Sequence, residues 1–269
     1  MSETTDAPIG VFDSGIGGLT VVRELIRQLP NESIIYFGDT ARVPYGPKSP
    51  DTVLRYSREI VSFLEDQGVK AVVVACNTAT AHALPMLREY VNVPVIGVVE
   101  PGARAAMRNT TSNVVGVIGT AGTIASGAYE RAIHAIEPRA VVIARACPLF
   151  VPLVEEGWVD RDATRLIARE YLEPLAEAQV DTIVLGCTHY PLLAPLLAKI
   201  ALPGVRLIDS AAETAAETRR TLIQRNLVAP SNGTPAHRFV ASDDAEHFLR
   251  VGQRFLGSAI DRVEKVTLG

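Results

Sequence analysis

The sequence predicts an α/β fold made of two pseudo-symmetric, doubly wound domains with mainly parallel sheets and an active site between them. Two observations lead to this prediction. Short apolar runs alternate with helix-period segments throughout the 269 residues, a pattern typical of parallel strands covered by helices. In addition, two short motifs recur in the second half of the chain, in the same order and at nearly the same spacing. The repetition indicates two structurally related halves.

The strands and helices can be assigned in order along the chain. An apolar run predicts a first strand at 9–13, and an apolar stripe of helical period predicts a helix over 19–29. Ser49 followed by Pro50 predicts the start of another helix. The continuous Val/Ala run at 72–75 is typical of a strand buried on both faces. Similar runs predict further strands at 34–39, 95–98, 114–118, 141–144, 182–185 and 205–208.

Two crossings between the domains are expected where strands run into new helices, near 98–101 and near 209–212. After the second crossing the pattern predicts a helix at 211–225, turns at 229–235, a strand at 239–242 and a final helix. We expect this segment to return to the first domain. The predicted domains are therefore 1–98 plus 210–269, and 99–209.

The internal repeat relates two pairs of segments. Residues 10–15 correspond to 116–121, and residues 73–78 correspond to 184–189, so that Cys76 and Cys187 occupy equivalent strand ends. If the halves face each other across a pseudo-twofold axis, both cysteines converge on one cleft between the domains.

Composition excludes several classes of protein. The formal net charge is -4, so the chain lacks the basic field expected of a nucleic-acid partner. No apolar run approaches the roughly 18 residues that span a membrane, and residues 1–6 are polar and acidic, so we expect a cytoplasmic protein without membrane association. Three cysteines do not make a disulfide framework, which leaves reactive thiols, metal ligands or buried apolar residues.

Cys76 and Cys187 each precede small hydroxyl or amide residues that are expected to open a helix. Amides at a helix N-terminus can stabilise a thiolate. Each cysteine could instead be a buried core thiol. No metal is expected. The sequence has no CxxC motif, and it has no Cys/His pair at zinc-finger spacing beyond the neighbouring Cys187 and His189. Two equivalent bases suit inversion at a carbon bearing hydrogen, in which one group removes a proton and the other delivers one to the opposite face.

The segment from Asp13 to Gly18 could be taken for a dinucleotide fingerprint. The pattern fails at Thr20, where the third glycine should stand, and Asp13 would repel a pyrophosphate. In an amino-acid site, Asp13 and Ser14 could hold polar groups of the substrate. Alternatively, these two residues could simply cap the following helix.

Several other residues have two possible roles. Thr120 and Thr123 suit a carboxylate or could be plain helix caps. Glu155 and His189 are candidate acid/base partners or solvated surface residues. Cys147 has no counterpart in the repeat and is expected to be structural.

Six segments of the chain resemble the glutamate racemases, within the aspartate/glutamate racemase superfamily. They are GVFDSGIGGLT at 10–20, GDTAR at 38–42, PYG at 44–46, ACNTA at 75–79, PLVE at 152–155 and LGCTHYP at 185–191. The resemblance implies two domains that enclose the substrate and interconvert L- and D-glutamate for peptidoglycan synthesis. It also implies that Cys187 takes the proton from the L isomer and Cys76 from the D isomer, assisted by Asp13, Glu155 and His189.

The same resemblance implies the substrate-binding residues and a homodimeric assembly. The implied substrate contacts are Asp13, Ser14, Tyr45, Gly46, Asn77, Thr78, Thr120, Thr123, Thr188 and His189.

No cofactor is expected. A pyridoxal phosphate enzyme needs a Schiff-base lysine, and none of the four lysines, Lys48, Lys70, Lys199 and Lys265, lies at a strand end beside the motifs. Three other functions stay open from the residues: a racemase of another acidic amino acid, a cysteine-dependent amidase or hydrolase, and a non-catalytic binding module with a bilobed cleft.

Overall fold

The computed structural model of the chain describes residues 5–231 and 234–268. Within these residues, two parallel sheets are packed between helices. The strands are β1 (Ile9–Asp13), β2 (Ile34–Gly38), β3 (Ala71–Val74), β4 (Val95–Gly97), β5 (Val114–Gly119), β6 (Val141–Ala146), β7 (Thr182–Gly186), β8 (Arg206–Asp209), β9 (His237–Ala241) and β10 (Glu264–Lys265).

The helices follow the strands in regular alternation along most of the chain. They are α1 (Leu19–Gln28), α2 (Pro50–Asp66), α3 (Asn77–Tyr90), α4 (Val99–Asn109), α5 (Ala121–Ala125), α6 (Ala128–His134), α7 (Phe150–Glu155), α8 (Asp162–Glu177), α9 (Ala194–Ile200), α10 (Ser210–Gln224) and α11 (Ala245–Leu256). Short 3-10 helices occupy Thr40–Arg42, Tyr190–Leu193 and Gly257–Ala259.

The two sheets repeat one topology. The first has the strand order β10-β9-β2-β1-β3-β4 and the second has the order β6-β5-β7-β8. The order β2-β1-β3-β4 thus matches β6-β5-β7-β8, and the strand pairs recorded in both sheets are parallel. The predicted α/β fold with mainly parallel, doubly wound sheets is confirmed.

Each sheet is covered on both faces, because successive side chains of a strand point to opposite sides. In the first sheet, Val11 and Val73 pack in one apolar cluster with residues of α1, α10 and α11, while Phe12 and Val74 pack in another with residues of α2 and α3. The second sheet has two corresponding clusters. Central strands are therefore buried along their whole length, as in β1, β3 and β7.

Two features of the strands differ from the sequence predictions. The runs at 141–144 and 205–208 form β6 and β8 but are not buried on both faces, since Val141 is 50% exposed and Arg206 is also exposed. β6 and β8 are the two edge strands of their sheet, where helices cover less of the strand. The short strand β10 was not predicted, because its two residues are too few to show a period. Of the turn-rich stretch 229–235, residues 232 and 233 lie outside the described residues.

The chain crosses between the sheets through α4 and α10, which lie side by side. Ion pairs join Arg104 to Glu217 at 2.5 Å and Arg108 to Glu213 at 2.5 Å. After α10 the chain returns to the first sheet, where β9 pairs with β2. None of the described helices combines the length and apolar composition needed to cross a membrane.

Candidate active site

A cavity of about 330 Å³ lies at the carboxyl ends of strands from both sheets. Cys76 and Cys187 both line it. A wider groove of about 990 Å³ between α3, α4 and α6 is lined by neither cysteine nor histidine. The residues lining the cavity are Ser14, Val43, Pro44, Gly46, Cys76, Asn77, Thr78, Thr120, Val151, Cys187, Thr188 and His189.

Cys76 stands at the N-terminus of α3, as its position after a buried strand predicted. Its Sγ accepts a hydrogen bond from the backbone N–H of Ala79 at 3.4 Å. The side chain is buried, with 5% of its surface exposed. Burial, followed by the nearby charge of Asp13, raises the pKa of the Cys76 thiol to about 12, although the Ala79 amide and the Ser14 hydroxyl act in the opposite direction. Cys76 is therefore a neutral thiol at physiological pH.

Cys187 lies in a different local setting, and the expectation that it also opens a helix is wrong. The chain turns after β7 and continues into the 3-10 helix Tyr190–Leu193 rather than into an α-helix. Pro191 contributes to this difference, because it has no N–H to donate to the Cys187 carbonyl, which instead accepts from Tyr190 N at 3.1 Å. In place of helix amides, Cys187 Sγ has the Nδ1 atom of His189 at 3.9 Å.

His189 links the Cys187 sulfur to a carboxylate. Its Nε2 lies 3.1 Å from Oε1 of Glu155, the last residue of α7. Burial by itself lowers the pKa of His189, but the hydrogen bonds to Cys187 and Glu155 outweigh burial and raise the pKa to about 10. The imidazole is consequently protonated at neutral pH. His189 thus places a protonated nitrogen beside the Cys187 sulfur.

Asp13 is fully buried beside the cavity, and the alternative that Asp13 and Ser14 cap α1 is wrong. The helix begins at Leu19 with Gly18 as its N-cap and no side-chain cap. Asp13 Oδ2 instead accepts a hydrogen bond from Gly15 N at 3.0 Å. Burial raises the pKa of Asp13, against the opposing effects of His189 and three backbone amides. Ser14 lines the cavity directly.

Three threonine hydroxyls meet where the two sheets face each other. Thr78 Oγ1 lies 2.9 Å from Thr120 Oγ1 and 3.1 Å from Thr123 Oγ1, and the last two are 3.0 Å apart. Thr120 is also the N-cap of α5, accepting from Thr123 N, so its predicted roles as cap and cavity residue are compatible. A second hydroxyl contact between the halves joins Thr188 Oγ1 to Asp13 Oδ1 at 3.5 Å.

The loop before α2 contributes the backbone of Gly46 to the cavity wall, rather than the predicted side chain of Tyr45. Gly46 lines the cavity, and its carbonyl accepts a hydrogen bond from Gly122 N at 2.9 Å. Tyr45 is buried, but its hydroxyl donates to the carboxylate of Asp39. The Tyr45 side chain does not line the cavity. Asp13 and Thr123 do not line it either, but they contact lining residues, Asp13 through Thr188 and Thr123 through Thr78 and Thr120.

Some residues of the site carried no recognisable signal in the sequence. Val43, Pro44 and Val151 line the cavity, yet apolar residues in loops and helices are too common to stand out. Tyr129 donates from Oη to Asn77 Oδ1 at 2.7 Å, although the two residues are distant in the sequence. Gly17 packs against Thr188, and only the run of glycines after β1 pointed to a close backbone approach there.

The side chains around the cavity offer no obvious metal or Schiff-base chemistry. Across residues 5–231 and 234–268, no three His, Cys, Asp or Glu side chains form a group that could hold a metal ion. The residues that line the cavity include no lysine.

Comparison with known proteins gives a consistent result. Residues 9–218 match the Asp/Glu/hydantoin racemase family. The chain is 55% identical over 260 residues to a glutamate racemase from Geobacter metallireducens, covering 97% of this chain and 96% of that protein.

Two solved structures resemble this one over nearly the full chain. A glutamate racemase isoform from Bacillus anthracis superimposes with a TM-score of 0.92 at 42% identity, covering 98% of both chains. A glutamate racemase from Francisella tularensis, in complex with D-glutamate, has a TM-score of 0.92 at 41% identity with the same coverage. The chain therefore belongs to the Asp/Glu/hydantoin racemase family and, within it, to the glutamate racemases, which are amino-acid racemases.

Proposed function

We propose that this chain interconverts L- and D-glutamate by two-base proton transfer at Cα, with Cys76 and Cys187 as the bases and without a cofactor. The observation that carries the proposal is that both thiols line one cavity, from equivalent strand ends of two sheets with matching topology. Opposed bases suit racemisation, because the reaction is nearly the same in both directions.

In this mechanism Cys187 removes the α-proton of L-glutamate. His189 lies beside this base, with its Nδ1 atom 3.9 Å from the Cys187 Sγ atom. Cys76 is held as a neutral thiol by burial and delivers its proton to the opposite face of the carbon. The first transfer leaves Cys76 as a thiolate and Cys187 as a thiol, and in the reverse direction, from that state, Cys76 takes the proton from D-glutamate and Cys187 returns one. Asp13, Glu155 and His189 assist these transfers, as the family resemblance implies.

The α-hydrogen of an amino acid is a far weaker acid than a thiol, so the site must stabilise a carbanion. Hydrogen-bond donors count for more in a cavity that excludes water than in solution. The buried hydroxyl cluster of Thr78, Thr120 and Thr123 supplies such donors. Asn77 adds an amide Nδ2 that is buried and has no partner within the described residues. Substrate carboxylates are the acceptors that fit these groups.

Two further observations support glutamate as the substrate and a mechanism that needs no cofactor. A relative with a TM-score of 0.92 was solved in complex with D-glutamate. Lys70, a buried lysine, is paired with Glu32 at the opposite end of the first sheet from the cavity, which leaves it unable to form a Schiff base there.

The cellular setting follows from the family resemblance. We propose that the enzyme supplies D-glutamate for peptidoglycan synthesis in the cytoplasm, acts as a homodimer and has no nucleic-acid partner. We also propose that the domains comprise 1–98 plus 210–269, and 99–209, with α4 and α10 as the crossings.

Racemisation of L-glutamate in heavy water tests the mechanism. Solvent deuterium should appear at Cα of the product isomer while optical rotation decays, and Cys76→Ser and Cys187→Ser should each reduce the rate at least 100-fold. Cys147→Ser is the matched control, since Cys147 is buried but does not line the cavity, and it should remain active.

Other outcomes would point to the other functions. Near-full activity in both cysteine variants would reject the two-base mechanism. A trapped acyl-enzyme with one dispensable cysteine would indicate an amidase or hydrolase. Ligand binding without isotope exchange would indicate a binding module, and faster exchange with aspartate than with glutamate would assign a different acidic substrate.

A further inference from the structure

We infer that Tyr129 is a positioning residue for racemisation, because its phenol orients the Asn77 side chain so that the amide N–H group faces the substrate cavity. This inference rests on the proposed function and adds to it a residue from outside the cavity wall. Tyr129 belongs to α6, which packs on the second sheet, whereas Asn77 begins α3 on the first.

The contact between these residues is short and buried. Tyr129 Oη donates to Asn77 Oδ1 at 2.7 Å, and each residue has 3% of its surface exposed. Asn77 follows Cys76 directly in the chain. The hydrogen bond therefore connects an element of the second half to the residue adjacent to one proposed base.

Two glycines leave room for the ring of Tyr129, one on each side. A Cβ atom at Gly102 on α4 would lie 3.2 Å from Tyr129 Cε1 and Oη. A Cβ atom at Gly186, the residue before Cys187, would lie 3.1 Å from Tyr129 Cε2. One aromatic side chain thus contacts a crossing helix, the strand end that leads to Cys187 and the residue after Cys76.

The orientation of the Asn77 amide follows from this arrangement. Burial raises the pKa of Tyr129 well above neutrality, so the phenol is protonated and can donate. With Oδ1 engaged by that donor, Nδ2 is the free end of the amide, and it is buried without a partner within the described residues. A buried donor is costly when unsatisfied. A substrate oxygen in the cavity satisfies it, so Tyr129 prepares the amide before the substrate binds.

Tyr129→Phe tests the inference, because it removes the hydroxyl and keeps the ring. The expected result is an increase of about fivefold in KM for L-glutamate, the size of one ordinary hydrogen bond, with a smaller change in kcat. Tyr171→Phe is the matched control. It loses the contact between Leu149 N and Tyr171 Oη at 3.4 Å, which is outside the cavity, and KM should not change. Melting temperatures of both variants separate this effect from loss of stability.

A double-mutant cycle with Asn77→Ala shows whether Tyr129 acts through Asn77. If it does, Tyr129→Phe has no further effect on KM in the Asn77→Ala background. Independent, multiplying effects in the cycle would overturn the inference, and so would a Tyr129→Phe enzyme with unchanged KM while the wild-type enzyme racemises glutamate. A wild-type enzyme that racemises no glutamate would reject the proposed function and this inference together.

Discussion

Gly17 lies so close to Thr188 that a Cβ atom at position 17 would be 2.3 Å from the Thr188 Oγ1 atom. The same Cβ atom would be 2.6 Å from Nδ1 of His189. Gly17 follows β1 in the first sheet, and Thr188 follows β7 in the second. The missing side chain at Gly17 therefore determines how closely the two halves of the site approach each other.

Gly17→Ala should separate these halves. The added methyl group must displace the Thr188 hydroxyl and the His189 ring, and overpacking of this kind costs about 1–3 kcal/mol. We expect kcat/KM for glutamate to fall at least tenfold. Gly252→Ala is the control, because its Cβ atom would meet apolar side chains away from the cavity, the methyl groups of Ile260 and Leu19 at 3.1 and 3.2 Å and the Phe248 ring at 3.8 Å. Equal kcat/KM in the two variants would show that this contact is unimportant for the reaction.

The pH dependence of stability should reveal the protonated His189. Its pKa in the folded protein, about 10, lies above the ordinary value near 6.5. The stabilisation by the bound proton is therefore complete below about pH 6.5 and is lost as the pH rises towards 10, at up to about 1.4 kcal/mol per pH unit.

The measurement is the free energy of unfolding in urea between pH 6 and pH 10. The wild-type protein should lose more stability over this range than His189→Asn, and Glu155→Gln should lie between them because one partner of the imidazole remains. Parallel curves for the wild type and His189→Asn would mean that His189 is neutral throughout.

Asp13→Asn should make Cys76 more reactive while it slows racemisation. Burial raises the pKa of Cys76 first, and the Asp13 charge raises it further, so removal of that charge lowers the pKa of the thiol. Iodoacetamide alkylation between pH 7 and 10, followed by mass spectrometry of the peptide that contains Cys76, measures this change. An unchanged alkylation rate would show that Asp13 carries no charge beside the thiol.

The buried ion pair between Lys70 and Glu32 should contribute to stability but not to activity. The two charges are 2.5 Å apart, with side-chain exposures of 1% and 2%. Lys70→Met leaves Glu32 buried without its partner charge and should cost about 3–5 kcal/mol of unfolding free energy. Lys265→Met is the control, since its pair with Asp243 is 56% exposed on both sides and should cost about 1 kcal/mol or less.

Both Lys70→Met and Lys265→Met should retain the wild-type KM, measured below the melting temperature of each variant. Lys70 precedes β3, whereas the cavity lies beyond the carboxyl end of that strand. A stability loss for Lys70→Met no greater than that for Lys265→Met would contradict the prediction.

The local pattern of the sequence was sufficient for most of the fold. β1 matches its predicted residues, and β3, β5 and β7 lie within one or two residues of theirs, because buried parallel strands show as continuous apolar runs between helix-period segments. The edge strands β6, β8 and β10 were predicted less well, since burial at an edge depends on which helices cover it. The cysteine pair was also identifiable, because the repeat places both residues after equivalent strands.

By itself the sequence determined the order of the elements, the repeat and the two cysteines at its strand ends, since each of these depends on neighbours along the chain. Only the tertiary structure decided that His189 connects Cys187 to Glu155, that Tyr45 points to Asp39 and that Tyr129 reaches Asn77. The physical reason is that these contacts join residues from separate elements. Their distances depend on how helices pack on the sheets and how the two sheets face each other, which no local period encodes.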